Sequence, residues 1–320
     1  MPNAEFSLKG KRVWVAGHRG MAGSAIVRRL EQEDCEVVTA GRDQLDLRRQ
    51  DAVEHWVADT KPDVVFLAAA TVGGIHANST RPAEFIYNNL IIEANVINAA
   101  HLADVNKLVF LGSSCIYPRM AAQPMREDSL LTGPLEPTNE WYATAKIAGI
   151  KMCQAFRKQY GRDYITAMPT NLYGRGDNYD PLQGHVVAAM LVKIHDAKTR
   201  QLPNVEIWGT GKPTREFLAV DDMADASVFL AKHYSDHEHV NIGTGIETSI
   251  RELVELVAET AGYTGGFEHN LDKPDGMPRK VMDIGKIKAM GWAPQIDLRT
   301  GLASAYQDYL EFLARKAKAA

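Results

Sequence analysis

A doubly wound α/β fold with a second, smaller α/β domain is predicted from three observations. Short apolar runs alternate with helical patterns through the first half of the chain. A glycine-rich turn, Gly17-His18-Arg19-Gly20-Met21-Ala22-Gly23, separates the first run from the first helix. The second half is less regular, cut into short elements by Pro181, Pro203, Pro213, Pro274, Pro278 and Pro294.

Taken in order, residues 11–16, 36–40, 63–69, 107–111 and 164–168 read as buried strands. Helices are expected between them at 21–31, 50–59, 83–103 and 142–159. Such alternation implies a parallel sheet covered on both faces. Placed between strand and helix, the glycines make this a Rossmann-type sheet: glycine allows a tight turn and lets a pyrophosphate approach backbone N–H groups. Further helices are expected at 185–198, 221–232 and 249–261. Residues 216–220 and 239–242, followed by Gly243-Thr244-Gly245, read as strands returning to the first sheet. The expected division is therefore a nucleotide-binding domain of residues 1–172 and 216–245, with residues 173–215 and 246–320 forming the domain that closes over the ligand.

The composition narrows the partners. A chain of 320 residues that is 45% hydrophobic can bury one large or two modest cores. A formal net charge of -4 offers no footprint for nucleic acid or an anionic membrane surface. The longest apolar stretch, residues 64–72, is far shorter than the ~20 residues of a membrane helix. Residues 1–11 lack the apolar segment of a secretory signal, so a cytoplasmic protein is expected. Cys35, Cys115 and Cys153 are an odd set without metal-ligand spacing, and neither a disulfide framework nor a metal site is expected.

The chemistry is carried by Tyr142 and Lys146, four residues apart on an expected helix, so that phenol and ammonium address one small volume. A nearby cation favours the phenolate, which would bring the hydroxyl closer to neutral titration. Ser113, or alternatively Ser114, ends the fourth expected strand, where ligands sit in open α/β sheets. Any long helix supplies four-residue pairs by chance, and Ser113 together with the glycine turn is what separates this one from coincidence. The second strand ends in Thr39-Ala40-Gly41-Arg42, without the carboxylate that usually receives the ribose hydroxyls of NAD. Arg19 and Arg42 suit a 2′-phosphate instead, and NADP(H) is the expected cofactor. Asp43, one residue past Arg42, argues the other way.

At this point the sequence resembles the GDP-L-fucose synthase family of extended short-chain dehydrogenase/reductases. The resemblance is carried by Gly17-His18-Arg19-Gly20-Met21, Val72-Gly73-Gly74-Ile75, Leu111-Gly112-Ser113-Ser114-Cys115-Ile116-Tyr117-Pro118, Pro169-Thr170-Asn171-Leu172-Tyr173-Gly174, Arg215-Glu216-Phe217-Leu218 and Lys273-Pro274-Asp275-Gly276. It covers residues 11–309. It implies NADPH-dependent conversion of GDP-4-keto-6-deoxy-D-mannose to GDP-L-fucose, by epimerisation at C3 and C5 and reduction at C4. By the same resemblance Cys115 and His185 are the epimerisation base and acid, beside the reductase residues Ser113, Tyr142 and Lys146. Cofactor contacts are implied at residues 17–23, Arg42, Asp46, Leu47, Leu111, Gly112, Ser114, Lys146, Pro169, Asn171, Leu172 and His185. GDP-sugar contacts are implied at Lys193, Trp208, Arg215 and Asp275. A homodimer through the helices at 83–103 and 142–159 is implied as well. Residues 182–184 and 265–271 fit the family pattern loosely. Two other readings stand beside this one: a related GDP-sugar epimerase or reductase, such as one acting on a 3,6-dideoxy sugar, and a non-catalytic NADP sensor.

Overall fold

The computed structural model describes residues 5–180, 184–272 and 275–319. Its first half runs β1 (Arg12–Ala16), α1 (Met21–Leu30), β2 (Glu36–Val38), α2 (Gln50–Thr60), β3 (Val64–Leu67), α3 (Ile75–Thr80), α4 (Pro82–Leu102), β4 (Lys107–Leu111), α5 (Glu140–Tyr160) and β5 (Asp163–Pro169). The second half continues β6 (Asn171–Tyr173), α6 (Val186–Thr199), β7 (Asn204–Trp208), β8 (Thr214–Arg215), β9 (Phe217–Ala219), α7 (Val220–His233), β10 (Val240–Ile242) and β11 (Thr248–Ser249). It closes with α8 (Ile250–Ala261), β12 (Gly266–Asn270), β13 (Arg279–Lys280), α9 (Gly285–Ala289) and α10 (Leu298–Ala319).

Six strands form one parallel sheet in the order β2-β1-β3-β4-β5-β10. Alternation along each strand explains the unbroken apolar runs. Val13 and Val15 enter one core with Ala25, Ile26 and Leu30 of α1 and Met223 and Val228 of α7, while Trp14 and Ala16 enter the opposite core with α2, α4 and α5. Chain order reverses between β1 and β3, which opens a crevice beyond their carboxyl ends. A third core joins α6, α8 and α10 through Leu191, Ile194, Leu253, Val257 and Leu302.

Local signals set the ends of these elements. Pro82 occupies the first turn of α4, where its missing N–H costs nothing. Gly161 ends α5 in the left-handed region at φ 69°. Ser249 and Glu252 form a reciprocal capping box on α8.

The structure corrects one expectation. Residues 216–220 do not return to the first sheet; β9 pairs with β6 in a separate two-stranded parallel ribbon. The cause lies in the polar residues beside it: Thr170 and Asn171 both donate to the Glu216 carbonyl, at 3.3 and 2.8 Å, and hold β9 against the segment following β5. The Glu216 side chain is fully buried. It accepts from the backbone N–H groups of Thr244 (2.6 Å), Gly245 (2.8 Å) and Met282 (2.9 Å). Gly243 is required beside it, since a Cβ there would lie 2.0 Å from the carboxylate. Residues 239–242 do reach the first sheet, as β10 beside β5. The 22-residue α10 lies beyond the last helix expected from sequence. No helix among the described residues is long and apolar enough to cross a membrane.

Candidate active site

A cleft of about 910 Å³ runs along the carboxyl ends of the large sheet and under the third core. Every residue implied from sequence to carry catalysis or to contact cofactor or GDP-sugar lines it except Gly23, which packs beneath the glycine turn. Gly17 has φ 93°, and a Cβ there would stand 2.6 Å from the Ala69 nitrogen; a Cβ at Gly23 would stand 2.2 Å from the Gly17 carbonyl. Gly20 is looser and serves as the N-cap of α1, whose first turn has neither a side-chain cap nor an acidic residue. The His18 Nδ1 is buried without a partner, and burial followed by the neighbouring Arg19 lowers the imidazole's proton affinity. An uncapped helix terminus over a cradle that side chains would fill fits a dinucleotide pyrophosphate.

Arg19 leans across Gly41, where any Cβ would collide with its guanidinium, and pairs with Asp43 at 2.9 Å with both groups about two-thirds exposed. The carboxylate noticed in the sequence therefore acts on Arg19. Asp46 is held by Arg48 at 2.7 Å, and hydrogen bonding from that guanidinium lowers its pKa to about 2. The Leu47 carbonyl accepts from Asn95, which fixes this loop to α4.

Ser113 follows β4 by way of Gly112, where a side chain would strike Met168. Tyr142 lies in the first turn of α5, with Lys146 one turn later. The Lys146 ammonium is 97% buried, donates to the Leu111 carbonyl at 3.0 Å and stands 3.0 Å from Glu93 Oε1. This pairing corrects the sequence expectation for Tyr142. The cation is matched by a carboxylate, and burial, with Cys115 and Glu93 adding to it, pushes the phenol up rather than toward neutrality. Glu93 was missed by the sequence reading. Its signal was a lone acid inside the apolar run Ile91-Ile92-Glu93-Ala94.

Cys115 sits in a single 3₁₀ turn, Ser114–Ile116, with its backbone N–H toward the Ser113 hydroxyl at 3.4 Å. Its sulfur receives Asn139 Nδ2 at 3.2 Å and Lys280 Nζ at 3.6 Å. Neither donor was found from sequence. His185 caps α6 and keeps one face open to the cleft, while its Nδ1 faces Asp177 Oδ1 at 3.5 Å. Asp177 is nearly buried, its second oxygen has no partner, and it raises the His185 pKa against the opposing effect of burial. At the far end the Lys193 ammonium lies 5.0 Å above the Trp208 ring, and Asp275 accepts from Thr210 N at 2.6 Å and Oγ1 at 2.8 Å. Arg215 is half-buried on β8, with Asp275 and Glu136 the nearest opposing charges. Leu182, Gln183, Lys273 and Pro274 lie outside the described residues.

Residues 13–243 match the NAD dependent epimerase/dehydratase family. The chain is 56% identical to GDP-L-fucose synthase of Sinorhizobium fredii over 97% of its length and 98% of the relative's. Against GDP-L-fucose synthase of Escherichia coli it is 53% identical over 94% of this chain and 97% of the other. Among solved structures, a GDP-6-OMe-4-keto-L-xylo-heptose reductase from C. jejuni superposes with a TM-score of 0.90 at 35% identity, covering 97% of this chain and 100% of that one. With Ser113, Tyr142, Lys146, Cys115 and His185 on one cleft, these likenesses establish that the chain belongs to the GDP-L-fucose synthase family of NAD-dependent epimerase/dehydratases.

Proposed function

We propose that the protein converts GDP-4-keto-6-deoxy-D-mannose to GDP-L-fucose, inverting C3 and C5 before reducing C4. The observation that carries this reading is that Cys115 and His185 line the same cleft as Ser113, Tyr142 and Lys146. A C4 ketone acidifies the hydrogens on C3 and C5, because the electrons left behind delocalise onto the C4 oxygen. The Cys115 thiolate takes the carbon-bound proton, the C–H electron pair passes into the enolate, and His185 returns a proton on the opposite face. Ser113 and Tyr142 donate hydrogen bonds to the enolate oxygen. A thiol and a neutral imidazole remain, and both reset by exchange with water.

The glycine turn would hold NADPH, with Arg19 and Arg42 placed for its 2′-phosphate, and the bound cofactor would supply the hydride for C4. Tyr142 donates its proton to the same oxygen, a task suited to a phenol that burial keeps protonated. Lys146, fixed by Glu93 and the Leu111 carbonyl, keeps one N–H that would be available to the nicotinamide ribose. Arg215 and Lys193 meet the diphosphate, Trp208 packs against the nucleotide, and Asp275 closes the guanine end. We assign the cofactor to residues 1–172 and 216–245, and the GDP-sugar mainly to 173–215 and 246–320. The unpaired cysteines suit the reducing cytoplasm. The heptose reductase likeness favours a second reading, reduction of a related GDP-sugar without inversion.

These alternatives separate in D₂O. Wild-type protein given GDP-4-keto-6-deoxy-D-mannose and NADPH is expected to place deuterium at C3 and C5. Cys115→Ser should bind NADPH normally but lose most of that label, whereas Tyr142→Phe should slow labelling only in part, since Ser113 still holds the enolate oxygen, and lose reduction by ~10²–10⁴-fold. Product without label from the wild type, read by mass spectrometry, would favour the simple reductase.

The Asp177 carboxylate raises the His185 pKa, so Asp177→Asn should lower it and deprotonate the acid at a lower pH. The basic limb of C3/C5 exchange is expected to move toward acid. An unmoved limb would remove Asp177 from this role.

Arg42→Ala is expected to weaken NADPH binding by about tenfold while changing NADH binding little. Equal losses in fluorescence titrations would place the 2′-phosphate elsewhere.

Tyr87, Leu102, Trp141 and Tyr160 are 63, 62, 44 and 51% exposed on neighbouring α4 and α5, and a symmetry mate packed on these helices would cover them. Light scattering at micromolar concentration should give a dimer mass, and a monomer mass would refute this face as a stable interface.

A further inference from the structure

We infer that Lys280 is the positioning residue of the Cys115 base, holding its sulfur as a thiolate from the opposite side of the cleft. Two donor groups converge on that sulfur: Asn139 Nδ2 at 3.2 Å and Lys280 Nζ at 3.6 Å. An ammonium has no lone pair to offer, so the sulfur must accept, and a thiolate accepts far better than a thiol. Asn139 is the N-cap residue of α5, yet its side chain makes no cap bond and reaches the sulfur instead.

Lys280 is delivered by a fixed backbone. Strand β13 pairs with β8, setting Lys280 beside Arg215. The next residue, Val281, donates its N–H to Gln123 Oε1 at 3.0 Å and accepts from Met125 N at 2.8 Å, and Met282 N is held by buried Glu216 at 2.9 Å. The other buried ammonium nearby, Lys146, is paired with Glu93 at 3.0 Å and not with the sulfur. Facing groups from other elements are Tyr142 on α5, Glu136 in the segment before it, which Arg119 approaches at 3.4 Å, and His185 across the cleft. A phenolate or carboxylate there would oppose the thiolate, so the favourable charge comes from Lys280. In the proton transfer Lys280 keeps its own protons: the sulfur forms its S–H bond with the proton from carbon, and the ammonium is then free to face the enolate charge.

This inference rests on Cys115 as the base, and its test is separable from that reading. Carbamidomethylation of Cys115 by iodoacetamide is followed from pH 5 to 9 by mass spectrometry of its peptide, distinct from those of Cys35 and Cys153. Wild-type Cys115 should react at neutral pH about tenfold faster than in Lys280→Met, whose profile should rise at higher pH. Lys280→Arg should restore the wild-type profile, and Lys280→Gln should repeat the loss with a side chain that keeps hydrogen bonding. Coincident profiles for wild type, Lys280→Met and Lys280→Gln, with NADPH binding intact, would overturn the assignment. Wild-type deuterium exchange in Cys115→Ser would sink the base itself while leaving the Lys280 alkylation result standing.

Discussion

The site depends on one buried ion pair, Glu93 with Lys146, placed between α4, α5 and β4. Both side chains are at least 97% buried, and removing either charge from water costs several kcal/mol unless the other is present. Their attraction therefore ties α4 to α5 beside the end of β4. Gly149 is part of the same constraint, since a Cβ there would stand 2.4 Å from Phe110 and 2.8 Å from the Glu93 carboxylate. Lys146 is held in one orientation, and its charge is matched before any ligand arrives. The phenol one turn earlier is left to burial, which keeps its proton in place. The proposed reduction needs a proton donor at that position, and burial beside the ion pair keeps one.

The two halves of the chemistry are built differently. Ser113, Tyr142 and Lys146 come from one strand end and one helix, so the large sheet alone sets their spacing. Cys115 lies on that strand end too, but the charges around the proton-moving pair arrive from elsewhere: Lys280 from β13 and Asp177 from the loop before α6. Cys115 faces an ammonium and His185 faces a carboxylate. In the proposed chemistry each of the two therefore has a charged partner of its own rather than relying on the other.

Local features of the sequence carried much of this. The glycine turn was legible because Gly17 and Gly23 leave no room for a side chain, and the strands because both faces of the sheet are covered. Helix ends fell within two residues of their expected places. What escaped has a common cause. The partnership of β9 with β6, and of Lys280 with Cys115, joins residues tens to more than a hundred positions apart, which periodicity does not encode. Glu93 was visible as a charge in an apolar run, but its partner lies 53 positions away on another helix. Asp43 showed the reverse problem: near the expected ribose site in sequence, it is engaged with Arg19.

Glu216 has a consequence for the order in which the chain is made. Its carboxylate, sealed from water, accepts hydrogen bonds from backbone donors at 244, 245 and 282. A nascent chain that has emerged only through β10 holds the large sheet and most of its helices but lacks all three donors. The six-stranded sheet is thereby complete in outline well before the ribosome finishes, while the junction through β9 waits for a segment more than sixty residues downstream. Seating β9 is thus a long-range event, and the side of the cleft that carries Lys280 takes its place only once the segment through Met282 has joined Glu216.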